Sequence, residues 1–202
     1  KVHFEIKKSL SKDLFGSSKR NLKAVDGVSF QIKEGEILSL VGESGCGKTT
    51  TGKAVLGLVK PTEGKVFFSG EEIKSLDKGS MKQFRQKAQM IFQDPYQSIN
   101  PREIIMDIVA EPLEVNRLVK SEEERTERVR EALEQAGLVP AEDFFFRYPH
   151  ELSGGQRQRV VIASAIIMKP DFIVADEPVS MLDASIRTEI LNLMMDLRKH
   201  NR

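Results

Sequence analysis

Eight consecutive residues, Gly42-Glu43-Ser44-Gly45-Cys46-Gly47-Lys48-Thr49, follow the spacing G-x-x-x-x-G-K-[ST], and residues of these types in that order can hold a polyphosphate. Glycines let the backbone curl without steric cost, so successive N–H groups turn inward towards phosphate oxygens. A helix starting at the lysine adds roughly half a positive charge at its N-terminus. Lys48 then reaches the β and γ phosphates, the Thr49 hydroxyl is placed to ligate Mg2+, and Thr50 can hydrogen-bond near the α phosphate. A plain glycine-rich turn ahead of a helix would show part of the same pattern, and the flanking strand and helix favour the cradle. Cys46, the single cysteine, has no histidine or second cysteine nearby in sequence to activate it and reads as a space-filling residue rather than a nucleophile.

A cradle alone marks only a nucleotide binder. The apolar run Phe172-Ile173-Val174-Ala175 ends in Asp176-Glu177, and a strand tip is where a carboxylate can hold Mg2+, directly or through water, while its neighbour faces the γ phosphate. Asp176 is the candidate metal ligand and Glu177 the candidate general base. Two adjacent acids at a strand end could also cap an ordinary helix, and the upstream cradle favours catalysis.

The elements that must position these residues are legible from periodicity. Leu22, Ala24, Val28, Phe30 and Ile32 alternate as in a half-buried strand, and Ile37–Val41 is a short apolar run suited to a strand covered on both faces. Lys48 to Leu58 suits a helix, stopped by Lys60-Pro61-Thr62-Glu63-Gly64. A strand over Ala88–Phe92 precedes a stretch punctuated by Pro95, Pro101 and Pro112. Ser121 with Glu124 has the spacing of a capping box and opens a charged helix with Val129, Leu133 and Ala136 inward. Strand Phe172–Ala175 and an amphipathic helix bearing Ile186, Ile190, Leu193, Met194 and Leu197 complete an α/β pattern with a largely parallel sheet. Lys+Arg 31 against Asp+Glu 30 leaves a net charge of +1, which gives no broad field for nucleic acid or anionic lipid. No apolar stretch of about 20 residues enters a bilayer, and the lone cysteine suits a reducing, cytoplasmic setting.

Leu152-Ser153-Gly154-Gly155-Gln156 leads straight into a helix carrying Val160, Val161, Ala163 and Ile167, which makes a second anion-binding helix end. Here the sequence resembles the ABC ATPases, whose signature matches these residues. The resemblance spans essentially the whole chain. It implies a P-loop NTPase (RecA-like) core with a mostly parallel sheet, an N-terminal antiparallel β subdomain, an inserted helical subdomain and a C-terminal truncation. The expected division is 1–95 (β subdomain and first half of the core), 96–157 (helical subdomain ending in the signature) and 158–202 (second half, incomplete). Gln93 looks like the Q-loop glutamine, a ligand of Mg2+ and water that also reports to the membrane partner. Ser180-Met181-Leu182-Asp183 looks like the D-loop, with Asp183 at the subunit interface. Phe4 falls where an aromatic ring stacks on adenine, although it could equally be a plain sheet residue.

The resemblance further implies ATP and Mg2+ as ligands and a head-to-tail dimer, homo- or heterodimeric. Each ATP then lies between the cradle of one subunit and Ser153-Gly154-Gly155 of the other, and hydrolysis of the bridging γ phosphate lets the dimer open. The other partners implied are transmembrane permease subunits at the cytoplasmic face of the membrane and, through them, a solute-binding protein. Segments such as Ala24-Val25-Asp26-Gly27-Val28-Ser29-Phe30, Asn100-Pro101-Arg102 and Arg147-Tyr148-Pro149-His150-Glu151 are similar to the ATPases of oligopeptide, dipeptide and nickel importers. The start at His3–Lys8, with a polar insertion before Leu22, looks like the second ATPase of the pair. Ser164 and Met181 depart from the family's usual arginine and alanine. The family's later γ-phosphate histidine has no counterpart, because His200 falls inside the last helix. The expectation is poor turnover with nucleotide binding retained unless the protein is longer.

Overall fold

The computed structural model describes residues 1–6 and 20–200. The polar insertion before Leu22 lies outside the described residues, as does the direction of the His200 side chain. The chain forms two compact units, Lys1–Met81 and Lys82–Arg202.

In the first unit β1 (Val2–Ile6) pairs antiparallel with β2 (Arg20–Val25), Phe4 opposite Leu22, with a bulge between Val2 and His3. The 61–64 turn is tied to this hairpin: His3 N donates to Thr62 Oγ1 at 2.9 Å, and the Lys1 ammonium meets Glu63 at 3.0 Å. α1 (Lys48–Val55) lies against both strands with Ala54 buried. A short hairpin, β3 (Phe67–Phe68) and β4 (Glu71–Glu72), leads through a 3-10 turn to α2 (Lys78–Lys87), within which the boundary falls. Asp77 caps α2 by accepting from Ser80 N at 2.7 Å, and that bond holds its carboxyl below the ordinary range.

Three local expectations are corrected here. The strand predicted over Leu22–Ile32 stops at Val25, because Lys23 pairs with Asp26 at 3.2 Å and Gly27 takes φ 78, a left-handed turn that breaks the extended run. Ile37–Val41 has no ladder partner among the described residues and stays exposed, Val41 at 94%. An apolar run becomes a buried strand only where neighbouring strands take up its backbone groups. The helix predicted to Leu58 ends at Val55, since Gly57 turns left-handed (φ 66) and its N–H closes on Ala54 O at 3.1 Å.

In the second unit β5 (Ala88–Ile91) and β6 (Phe172–Ala175) pair in parallel, from Ala88 opposite Phe172 to Ile91 opposite Ala175. Between them run α3 (Pro95–Ser98), α4 (Ile105–Asn116), α5 (Glu122–Gln135), α6 (Glu142–Phe145) and α7 (Gly154–Ile166); α8 (Ala184–His200) follows β6. α4, α5 and α7 pack on one another around Ile105, Val109, Leu113, Val129, Leu133 and Val160, all fully buried. β6 is half-buried rather than buried, with β5 as its paired neighbour. Ser121 caps α5 as expected, accepting from Glu124 N at 3.2 Å. Glu124 reaches one residue further back than the box requires, to Lys120 N at 3.0 Å. Arg125 then fastens α5 to α4, bonding Asp107 at 2.6 Å and Glu114 at 2.5 Å.

Candidate functional site

In the first unit the loop Gly42–Gly47 runs into α1. Gly47 occupies the N-cap with φ 98, and a Cβ there would overlap the Ala24 carbonyl oxygen, so both its dihedral and its surroundings demand glycine. No side chain caps α1 and its first turn carries no acid, which leaves the positive end of the helix suited to an incoming anion. Lys48 arches back over the loop, its Nζ donating to Gly42 O at 2.9 Å and Glu43 O at 3.1 Å. The loop is closed beneath it by Cys46 N donating to Glu43 O at 3.2 Å. The exposed Cys46 places Sγ only 2.6 Å from where a Cβ on Gly42 would stand, so the thiol fills space that a side chain at Gly42 would need. Ser44 and Gly45 form the exposed crest, Gly45 at φ 80, and Thr49 and Thr50 sit half-buried in the first turns of α1. Phe4 is 43% exposed on β1, a ring left open on one face.

In the second unit the parallel register does the positioning. Ile91 stands opposite Ala175, so Gln93 and Glu177 each lie two residues beyond the last matched pair, at the carboxyl ends of adjacent strands. They meet there: Gln93 Nε2 donates to Glu177 Oε2 at 2.9 Å. Asp176 N donates to Ile91 O at 2.9 Å, which carries the ladder one step past β6 and buries Asp176. Glu177 has φ 46, a left-handed conformation that costs a non-glycine residue on the order of 1–3 kcal/mol. The loop after it holds that conformation, because Ser180 donates to Glu177 O from both N (3.1 Å) and Oγ (3.0 Å). Carboxyl ends of parallel strands are where open α/β sheets bind ligands.

Ser153 and Gln156 form a complete capping box at the start of α7: Ser153 Oγ accepts from Gln156 N at 3.2 Å and Gln156 Oε1 accepts from Ser153 N at 2.9 Å. Gly154 and Gly155 occupy its first turn. Asp183 immediately precedes α8, its carbonyl accepting from Arg187 N at 2.9 Å. Ser164 is half-buried within α7 and Met181 is exposed; nothing in the structure explains either departure. Leu182 and Ile186 cover the two glycines of the α7 terminus; the sequence marked Leu182 only as part of the D-loop segment and Ile186 only as part of an amphipathic helix face. Their signal was the juxtaposition of two glycines in a helix start, which leaves room that some other side chain must fill.

A model of the ABC transporter family matches residues 25–180. The chain belongs to that family. The oligopeptide transport ATP-binding protein OppF of Bacillus subtilis is 49% identical over 93% of this cassette and 61% of its own length; OppF of Escherichia coli is 47% identical over 98% and 58%. The cassette thus spans about three fifths of the length of the curated relatives it matches. Among solved structures, the dimeric post-hydrolysis state of the ATP-binding cassette MJ0796 bound to ADP and Pi superposes with a TM-score of 0.78 at 35% identity, covering 93% of this chain and 79% of that one. The α/β P-loop fold expected from the sequence is the fold this ABC cassette shares with it. No helix among the described residues is long and apolar enough to cross a membrane.

Proposed function

We propose that this cassette binds and hydrolyses ATP to power import of peptides by an ABC transporter. The cassette works at the cytoplasmic face as one of two ATPase subunits beneath a permease that receives its cargo from a solute-binding protein. The observation that carries the reading is the Gln93–Glu177 pair, 2.9 Å apart at the ends of parallel strands, in a chain whose relatives are named as oligopeptide transport ATP-binding proteins.

The chemistry follows from the residues. Lys48 and the amides of Gly42–Thr49 grip the β and γ phosphates, and Phe4 offers its exposed ring to the base. The hydroxyl of Thr49, the amide oxygen of Gln93 and the carboxylate of Asp176 are each hard-oxygen donors of the kind Mg2+ takes, and the ion when bound would neutralise charge on the phosphates. Glu177 accepts the proton of the attacking water as its oxygen bonds to the γ phosphorus; the β–γ bridge breaks and ADP leaves with the charge. Gln93, bonded to Glu177, orients the carboxylate and the water. Ser153, Gly154 and Gly155 of one subunit close over the nucleotide held by its partner, Gln156 serves by holding that helix start in its box, and Asp183 faces the partner subunit.

The test is reconstitution of the full-length protein with its partner cassette and permease in proteoliposomes, with peptide-loaded solute-binding protein outside. Peptide uptake that requires ATP hydrolysis, and that stops with Glu177→Gln, is expected. ATP turnover without uptake of any peptide would remove the peptide reading, and absence of turnover would remove the ATPase reading.

A further inference from the structure

The two glycines at the start of α7 are each covered by a side chain from the segment that follows Glu177. A Cβ on Gly154 would stand 3.7 Å from Leu182 Cδ2, an ordinary contact, whereas one on Gly155 would stand 2.8 Å from Ile186 Cγ2, closer than real Cβ atoms come. Leu182 is buried, and Ile186, half-buried, packs against the same core. One turn further along both helices, Arg159 Nη2 bonds Glu189 Oε2 at 3.0 Å while its Nη1 donates to Ala136 O at the end of α5, at 2.9 Å. α7 and α8 are therefore braced at two successive levels, one apolar and one charged.

The other end of this brace is Glu177 itself. Ser180 closes on Glu177 O twice, Leu182 N donates to Val179 O at 3.3 Å, and Arg187 Nε holds Leu182 O at 2.7 Å. Two overlapping turns, Ser180 on Glu177 and Leu182 on Val179, thus join Glu177 to Leu182, and Leu182 rests on Gly154. Close-packed contacts of this kind shift together rather than deform, so a displacement of the α7 terminus reaches the Glu177 backbone.

We infer that Leu182 and Ile186 are positioning residues that fix the Ser153–Gly155 end of α7 to the backbone of Glu177 within one chain, so that engagement of that end by a partner's nucleotide sets the placement of this chain's own base. The inference rests on the ATPase reading above. It gives Gly155 a reason to be glycine that is independent of phosphate approach: any side chain there forces Ile186 to give way.

A double-mutant cycle on the full-length protein, assembled with its partner cassette and permease, tests this. Gly155→Ala lowers kcat for ATP about tenfold with KM changed less than about twofold, and adding Ile186→Ala, which removes the Cγ2 methyl, restores kcat by about threefold or more. Ile186→Val keeps that methyl and gives no rescue of Gly155→Ala. If the Gly155→Ala/Ile186→Ala variant is no faster than Gly155→Ala at equal thermal midpoint, the inference is overturned. It is overturned too if Leu182→Ala and Ile186→Ala lower only the midpoint and leave kcat unchanged. A parental protein without ATP turnover fails the functional reading first and takes this inference with it. A parental enzyme that turns over, loses turnover with Glu177→Gln, and shows no rescue fails the inference alone.

Discussion

Lys48 and Gly47 carry the largest single-residue consequences in the first unit. The Lys48 ammonium is held at the loop by Gly42 O and Glu43 O, which on the proposed reading pre-places the charge for the β and γ phosphate oxygens. Lys48→Ala is expected to weaken ATP binding by about ten- to a hundredfold, the worth of a charge-assisted contact of about 1.5–3 kcal/mol, read by fluorescent-nucleotide titration. Gly47→Ala should do more, because the left-handed dihedral and the Ala24 carbonyl both oppose a methyl group. A loss of about 1–3 kcal/mol in stability by denaturant titration, together with loss of nucleotide binding, is the expected outcome; unchanged stability would show that the loop relaxes freely. The sequence pattern at Gly42–Thr49 made the loop and the helix after it legible because its glycines are dictated by local backbone geometry. It did not reveal that the Gln156 side chain is taken up by a capping box, since a polar residue after two glycines reads equally as a ligand contact.

At the scale of elements, the parallel register of β5 and β6 accounts for the Gln93–Glu177 pair, and register depends on partners far apart in sequence. The tips of both strands were legible from their apolar runs. That Gln93 and Glu177 are equidistant from the last matched pair was not, because periodicity gives faces and ends but not alignment. The helix boundaries that carry their own chemistry were the most legible: Ser121 caps α5 through its hydroxyl, as its spacing to Glu124 implied. Ser121→Ala should cost about 1 kcal/mol and lower the thermal midpoint by roughly 2–4 °C without changing nucleotide affinity. Calorimetry with a parallel binding titration checks it, and a shift in affinity would contradict a purely structural role. The failures were at Leu22–Ile32 and Ile37–Val41, where an apolar pattern predicts a strand but pairing decides it.

For the whole molecule, the two units differ in build. The first presents a glycine-rich loop with Lys48 folded over it and an exposed aromatic ring, and the second presents paired strand tips and a capped helix start. Composition fixed only the class, through its balance of charge and want of a membrane-length apolar run, whereas the match between motif order and element order carried the family. The proposed cycle makes the γ phosphate the bridge that holds two subunits closed, with Glu177 as the group that removes it. Sedimentation velocity on the full-length Glu177→Gln protein, with Mg2+ and ATP, ADP or no nucleotide, tests this most directly. The expected result is a dimer with ATP alone, its γ phosphate uncleaved on later analysis of the bound nucleotide. Association that ignores the nucleotide, or ATP cleaved at the parental rate, would contradict it.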